Sequence, residues 1–122
     1  MKPESKFWQL VKKNTPQIQW TRLESWASFG VPDLLGYNNK CGFFMCELKV
    51  ARGKKISFSP HQKMFHLTRT KRNFILVKAD APRAVKLYES SQMEELLTMG
   101  HAARPLVQDD WNAIQEALIA GL

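Results

Sequence analysis

The sequence predicts an α/β fold, an α/β sandwich built around a mixed β-sheet of about five strands, in the order helix, three strands, helix, two strands and terminal helices. Three observations carry this reading. Phe7, Leu10 and Val11 recur at helical spacing near the N-terminus. Two strand-like runs, Asp33–Tyr37 and Phe43–Val50, flank the turn-forming stretch Asn38-Asn39-Lys40-Cys41-Gly42, which reads as a hairpin. Phe74-Ile75-Leu76-Val77 is short, wholly apolar and β-branched in part, the pattern of a strand buried on both faces.

Taken in order, Pro3 and Glu4 suit a first helical turn, and the apolar spacing continues until Asn14-Thr15-Pro16 stops helix one. Gln17 to Phe29 partly alternates, with Ile18, Trp20 and Arg22 on one face and Gln19, Thr21 and Leu23 on the other, so a strand is expected. The hairpin follows, then a basic connection, Ala51-Arg52-Gly53-Lys54-Lys55-Ile56. Ser59-Pro60-His61-Gln62 is a helix start: Ser59 as N-cap, Pro60 at the first helical position, and Gln62 closing a capping box. This helix is expected to run to about Arg72, with Asn73 as its C-terminal cap. Phe74–Val77 is then the central strand, Asp80-Ala81-Pro82-Arg83 a turn, and Ala84–Tyr88 an alternating strand. Ser91-Gln92-Met93-Glu94 reads as a second capping box, opening a short helix closed by Gly100. Trp111, Ile114 and Leu118 form one stripe of a final helix.

With 122 residues, 44% of them hydrophobic, the chain is expected to form one compact domain over residues 1–122. The N-terminus lacks an apolar leader core, and no run approaches the roughly 20 apolar residues that span a bilayer. A soluble, cytoplasmic protein with no membrane partner is expected. Cys41 and Cys46 are too few and too close for a disulfide framework and read as reduced structural thiols. The net charge of +7 is unevenly spread. Lys49 to Lys86 hold eleven Lys/Arg against Asp80 alone, whereas Leu87 to Leu122 hold six acids against Arg104 alone. A basic middle segment suits a polyanion, because Lys and Arg neutralise phosphates and release counterions; a solvated charged face is the plainer alternative.

Chemistry concentrates in Gly30-Val31-Pro32-Asp33 and Glu47-Leu48-Lys49. Side chains alternate along a strand, so Glu47 and Lys49 share a face while Leu48 turns into the core. The hairpin would fold Asp33 back beside Glu47. Two carboxylates and one amine then stand where a divalent metal and a scissile phosphate can meet. Other chemistries fit poorly. His61 and His66 are five apart, not the three or four that put two ligands on one helix face, and no cysteine pair accompanies them, which argues against zinc. Ala51-Arg52-Gly53-Lys54-Lys55 lacks the leading glycine and the final Ser/Thr of a phosphate-binding P-loop, and there is no nucleophile elbow. Trp8, Trp20, Trp26 and Trp111 read as core rather than as base-stacking platforms.

With these motifs in this order, Gly30-Val31-Pro32-Asp33, the Glu47-Leu48-Lys49 strand and Gln62 on the next, capped helix, the chain resembles the PD-(D/E)xK nuclease superfamily, and within it the virus-type replication-repair nuclease (VRR-NUC) domains. The resemblance spans nearly the whole chain in element order and about a dozen positions in motif. It implies a restriction-endonuclease-like three-layer sandwich, with an αβββαβ core plus C-terminal helices, and hydrolysis of phosphodiesters with magnesium (Mg2+) or manganese. Position by position, it implies Asp33, Glu47 and the Leu48 carbonyl as metal ligands, hard oxygen donors of the kind magnesium prefers. Lys49 would orient or help deprotonate the attacking water and offset charge developing on phosphorus. Gln62 would position Lys49 or the water. Glu4 matches an acid that many family members place on helix one to assist a second metal.

Each role has a structural competitor. Glu47 and Lys49 could be a surface pair, Gln62 could serve its capping box alone or in addition, and Glu4 could complement the helix dipole. Glu24 is an alternative to Glu4. Arg52, Lys54, Lys55 and Lys63 are the expected phosphate contacts. The resulting expectation is a metal-dependent DNA endonuclease acting on branched or structured DNA such as Holliday junctions or flaps. It would work as a homodimer through the terminal helix or a sheet edge, without a small-molecule cofactor, in a phage or mobile-element setting and thus in a host cytoplasm. The alternative is a DNA-binding module that keeps the fold without the chemistry.

Overall fold

A computed structural model describes residues 2–23, 29–80 and 82–120. Helix α1 covers Pro3–Asn14, strands β1 Gln19–Arg22, β2 Leu34–Asn38 and β3 Gly42–Ala51 follow, and α2 spans Pro60–Thr68. Strands β4 Asn73–Asp80 and β5 Arg83–Glu89 precede α3, Met93–Met99; a short strand β6, Val107–Gln108, and α4, Trp111–Ala120, complete the order. All six strands form one open mixed sheet in sequence order. Only β3 and β4 pair in parallel; the other neighbours are antiparallel. That parallel pair needs a crossover, and α2 supplies it.

Alternation along the central strands divides the core in two. Phe44, Cys46, Leu48, Phe74, Leu76 and Leu87 face α1 and α4, meeting Phe7, Val11, Ile114 and Leu118. Ile75, Val77 and Tyr88 face the other way, toward Phe58, Met93 and Leu96. Phe74, Ile75, Leu76 and Val77 are all fully buried, as a central strand covered on both sides requires. Trp8, Trp20 and Trp111 pack against the first cluster, in keeping with a core role. Trp26 and Glu24 lie outside the described residues.

Several boundaries differ from expectation. The sheet has six strands rather than about five. β6 is two residues long and carries no readable period; it is fixed by neighbours, with the Asp109 carboxylate accepting from Val85 N–H at 2.7 Å. The strand expected over Gln17–Phe29 is described only as β1, Gln19–Arg22, and 24–28 lie outside the described residues. Helix α2 stops at Thr68, short of Arg72, where the Thr68 hydroxyl donates back to the Met64 carbonyl. Asn73 opens β4, yet its side-chain amide donates to the Arg69 carbonyl at 3.0 Å, so it closes the helix from the following strand. The second capping box is Glu89–Gln92, not Ser91–Glu94, and it opens a 3-10 turn ahead of α3. Gly100 ends α3 as expected, with φ of +61°.

Candidate active site

The β2–β3 hairpin brings the two acids together. Leu34 pairs with Cys46, so the residue before β2 stands at the level of Glu47. Asp33 Oδ2 accepts the Leu48 N–H at 2.8 Å, which pins the acid to the neighbouring strand. Glu47 is almost fully buried. Burial, together with the neighbouring Glu47 carboxyl, pushes Asp33 from 3.8 up to about 7. Burial raises Glu47 as well. Facing carboxylates out of water hold a proton between them unless a cation takes its place.

Gly30 sets the approach to this pair. Its φ is +77°, and a Cβ there would collide with the His61 carbonyl at the start of α2. The Gly30-Val31-Pro32-Asp33 turn is therefore seated directly on the helix that carries Gln62. Ser59 and Gln62 form the full capping box predicted for α2. The Gln62 side chain also reaches the site: its Oε1 accepts from Lys49 Nζ at 2.9 Å, and its Nε2 lies 3.5 Å from Glu47 Oε2. Capping and site contact coexist in one side chain. Lys49 shares the Glu47 face of β3, with Nζ 4.8 Å from the centre of the Phe58 ring.

The sequence offers His66 only as a zinc-ligand candidate, and the structure gives it a different place, between Glu47 and Ser90. It is fully buried, with Nε2 3.5 Å from Glu47 Oε1 and Nδ1 2.7 Å from Ser90 Oγ. Burial, then the Lys49 charge, hold its pKa down to about 4, so the ring is neutral. A signal for it exists in the sequence: Gln62 and His66 are four apart and share a helix face.

Glu4 sits in the first turn of α1, exposed, and its charge contributes to raising Glu47. It lines an open groove of about 720 Å3 together with Lys2, Arg52, Lys54 and Lys55. The three basic loop residues thus converge with Glu4, and Lys2 joins them unforeseen. Lys63 faces a separate depression of about 440 Å3, which it shares with Lys54 and Lys55. The loop is anchored from beneath: His101 Nε2 bonds the Gly53 carbonyl at 2.6 Å, and His101 N–H donates to the Lys54 carbonyl at 2.9 Å. Lys86 Nζ lies 3.3 Å from His101 Nδ1, which leaves the ring's N–H on the Gly53 side.

The donor set fits a hard divalent cation. Asp33 and Glu47 offer carboxylate oxygens, the Leu48 backbone lies against Asp33, and Glu47 Oε1 is a buried oxygen with no hydrogen-bond partner. Among the described residues no three His, Cys, Asp or Glu side chains converge as a metal-binding cluster, so such an ion would draw its remaining ligands from backbone and water. Neither a family model, nor a curated protein, nor a solved structure matches the chain. No helix among the described residues is long and apolar enough to cross a membrane.

Proposed function

We propose that this protein is a metal-dependent DNA endonuclease of the PD-(D/E)xK type, with a restriction-endonuclease-like core and its nearest likeness among VRR-NUC domains. The observation that carries the reading is the Asp33–Glu47 carboxyl pair, half-buried at Asp33 and buried at Glu47, with Lys49 held on the Glu47 face by Gln62. Two acids that must share a proton are costly to bury, and a divalent cation relieves that cost. Asp33, Glu47 and the Leu48 carbonyl would hold magnesium or manganese, with Glu4 assisting a second ion. Bound there, the ion would supply Lewis-acid polarisation of the phosphate and activation of water.

The remaining roles belong to the chain. Lys49 orients the attacking water and, as a cation, favours its deprotonation, and its charge offsets negative charge developing on phosphorus. Gln62 fixes the Lys49 amine through the 2.9 Å bond, and Ser59 fixes Gln62 in turn. Lys2, Arg52, Lys54 and Lys55 line a groove that suits a phosphate backbone, and Lys63 adds a cation in the separate depression that it shares with Lys54 and Lys55. A homodimer would let two symmetric strands of a junction be cut together.

The test is cleavage of a four-way junction, a flap, duplex and single strands in magnesium by the wild type and by Asp33→Ala, Glu47→Ala and Lys49→Ala. Wild-type cleavage is expected to fall at least about 100-fold in each variant, with DNA affinity nearly unchanged in Lys49→Ala. Equal cleavage by wild type and variants would sink the assignment. Salt-sensitive junction binding without any cleavage in magnesium or manganese would instead identify a binding module.

A further inference from the structure

We propose that His66 is a positioning residue for Glu47, anchored through Nδ1 by the Ser90 hydroxyl, so that a Ser90–His66–Glu47 chain sets the orientation of a metal-ligating carboxylate. The proposal rests on the metal-dependent reading of the Asp33–Glu47 pair. Helix α2 aims one nitrogen at each Glu47 oxygen: Gln62 Nε2 lies 3.5 Å from Oε2, and His66 Nε2 lies 3.5 Å from Oε1. On the far side of the ring, Nδ1 is 2.7 Å from the hydroxyl of Ser90, which is fully buried in the 3-10 turn before α3.

A neutral imidazole has a single N–H. An acceptor nitrogen facing the Glu47 oxygen would be repelled, so the N–H belongs on Nε2, and Nδ1 accepts from the Ser90 hydroxyl. Serine is suited to this because its hydroxyl rotates to donate. Glu47 Oε1 and His66 Nε2 are the two buried atoms of the cluster that lack a hydrogen bond, and they face each other. A shift of a few tenths of an ångström closes that gap to bonding distance. His66 is shut off from the groove, so it acts through Glu47 and not on the substrate.

Partners behind ligating side chains typically change metal affinity by roughly 10–100-fold. Manganese binding by calorimetry and junction cleavage are to be measured together for wild type, Ser90→Ala, His66→Gln, His66→Leu and the Ser90→Ala/His66→Leu double variant. Ser90→Ala and His66→Leu are each expected to weaken manganese binding about 10-fold. His66→Gln, which keeps an amide donor, should recover part of the loss. The double variant should bind no more weakly than His66→Leu alone, because the two act through one contact. Ser90→Ala removes a single hydroxyl and decides the matter should His66→Leu fail to fold. Wild-type manganese binding with unaltered affinity in Ser90→Ala, or fully additive losses in the double variant, overturns the chain. A wild type that binds no manganese overturns the metal-dependent reading beneath it.

Discussion

Lys49 Nζ donates a 2.9 Å hydrogen bond to Gln62 Oε1, and the same oxygen accepts the Ser59 backbone N–H at 2.9 Å. The capping box that starts α2 thus also holds the site's amine. Ser59→Ala and Gln62→Ala separate the two duties. Each should cost about 1 kcal/mol of stability through the lost cap. Only Gln62→Ala should also lower cleavage, on the order of 10-fold or more, because it alone releases Lys49. Denaturant titration and single-turnover cleavage on the same preparations check this; equal cleavage by both variants would reduce Gln62 to a cap.

The acid pair predicts a pH dependence for the metal-free protein. Asp33 is raised by burial and by Glu47 from 3.8 to about 7, and Glu47 is raised by burial. Groups that bind protons more tightly when folded stabilise the fold fully below their unfolded values, and that contribution is lost as pH rises through the folded ones. In EDTA, the thermal midpoint of wild type should therefore fall between about pH 4 and 7 more steeply than that of Asp33→Asn. Identical slopes would mean that the pair is not proton-coupled.

Gly30 predicts a positional effect at a distance from the chemistry. Gly30→Ala meets the His61 carbonyl and occupies a left-handed φ of +77°. A loss of about 1–3 kcal/mol is expected, together with a cleavage defect, because the turn that sets Asp33 against α2 must move. Thermal denaturation and cleavage by Gly30→Ala and Gly30→Ser, compared with wild type, check it; full activity in both would show that the seat on α2 is dispensable.

The basic loop predicts a salt signature. Lys54→Ala and Lys55→Ala should weaken DNA binding similarly across sequences and lower the slope of log affinity against log salt by about 1 each. His101→Ala, which frees the Gly53 carbonyl, should weaken binding with little change in that slope, since it removes order and not charge. Fluorescence anisotropy at several salt concentrations distinguishes these outcomes.

Much of the site was legible because it is local or periodic. Residue alternation placed Glu47 and Lys49 on one face, the hairpin register put Asp33 beside Glu47, and the Ser59-Pro60-His61-Gln62 pattern marked the start of α2. Asn73 closes α2 as its position suggests, but the helix ends at Thr68 and not near Arg72, because Asn73 reaches back to the Arg69 carbonyl from within β4 and the Thr68 hydroxyl turns back on the helix. β6 escaped because two residues have no period and their pairing depends on Asp109 reaching Val85.

The sequence by itself determined the α/β class, the hairpin, the capped helix and the acid–acid–lysine set, since each follows from spacings of a few residues. Tertiary structure alone decided which helix face meets which strand. It put His66 against Glu47 and Ser90, seated Gly30 on His61, and gathered Lys2 and Glu4 with the Arg52–Lys55 loop. Those partners are 19 to 53 residues apart along the chain: the parallel β3–β4 crossover lays α2 across the face that carries the carboxyl groups and so brings in His66 and the seat of Gly30, whereas α1, packed on the other face of the sheet, carries Lys2 and Glu4 to the loop after β3.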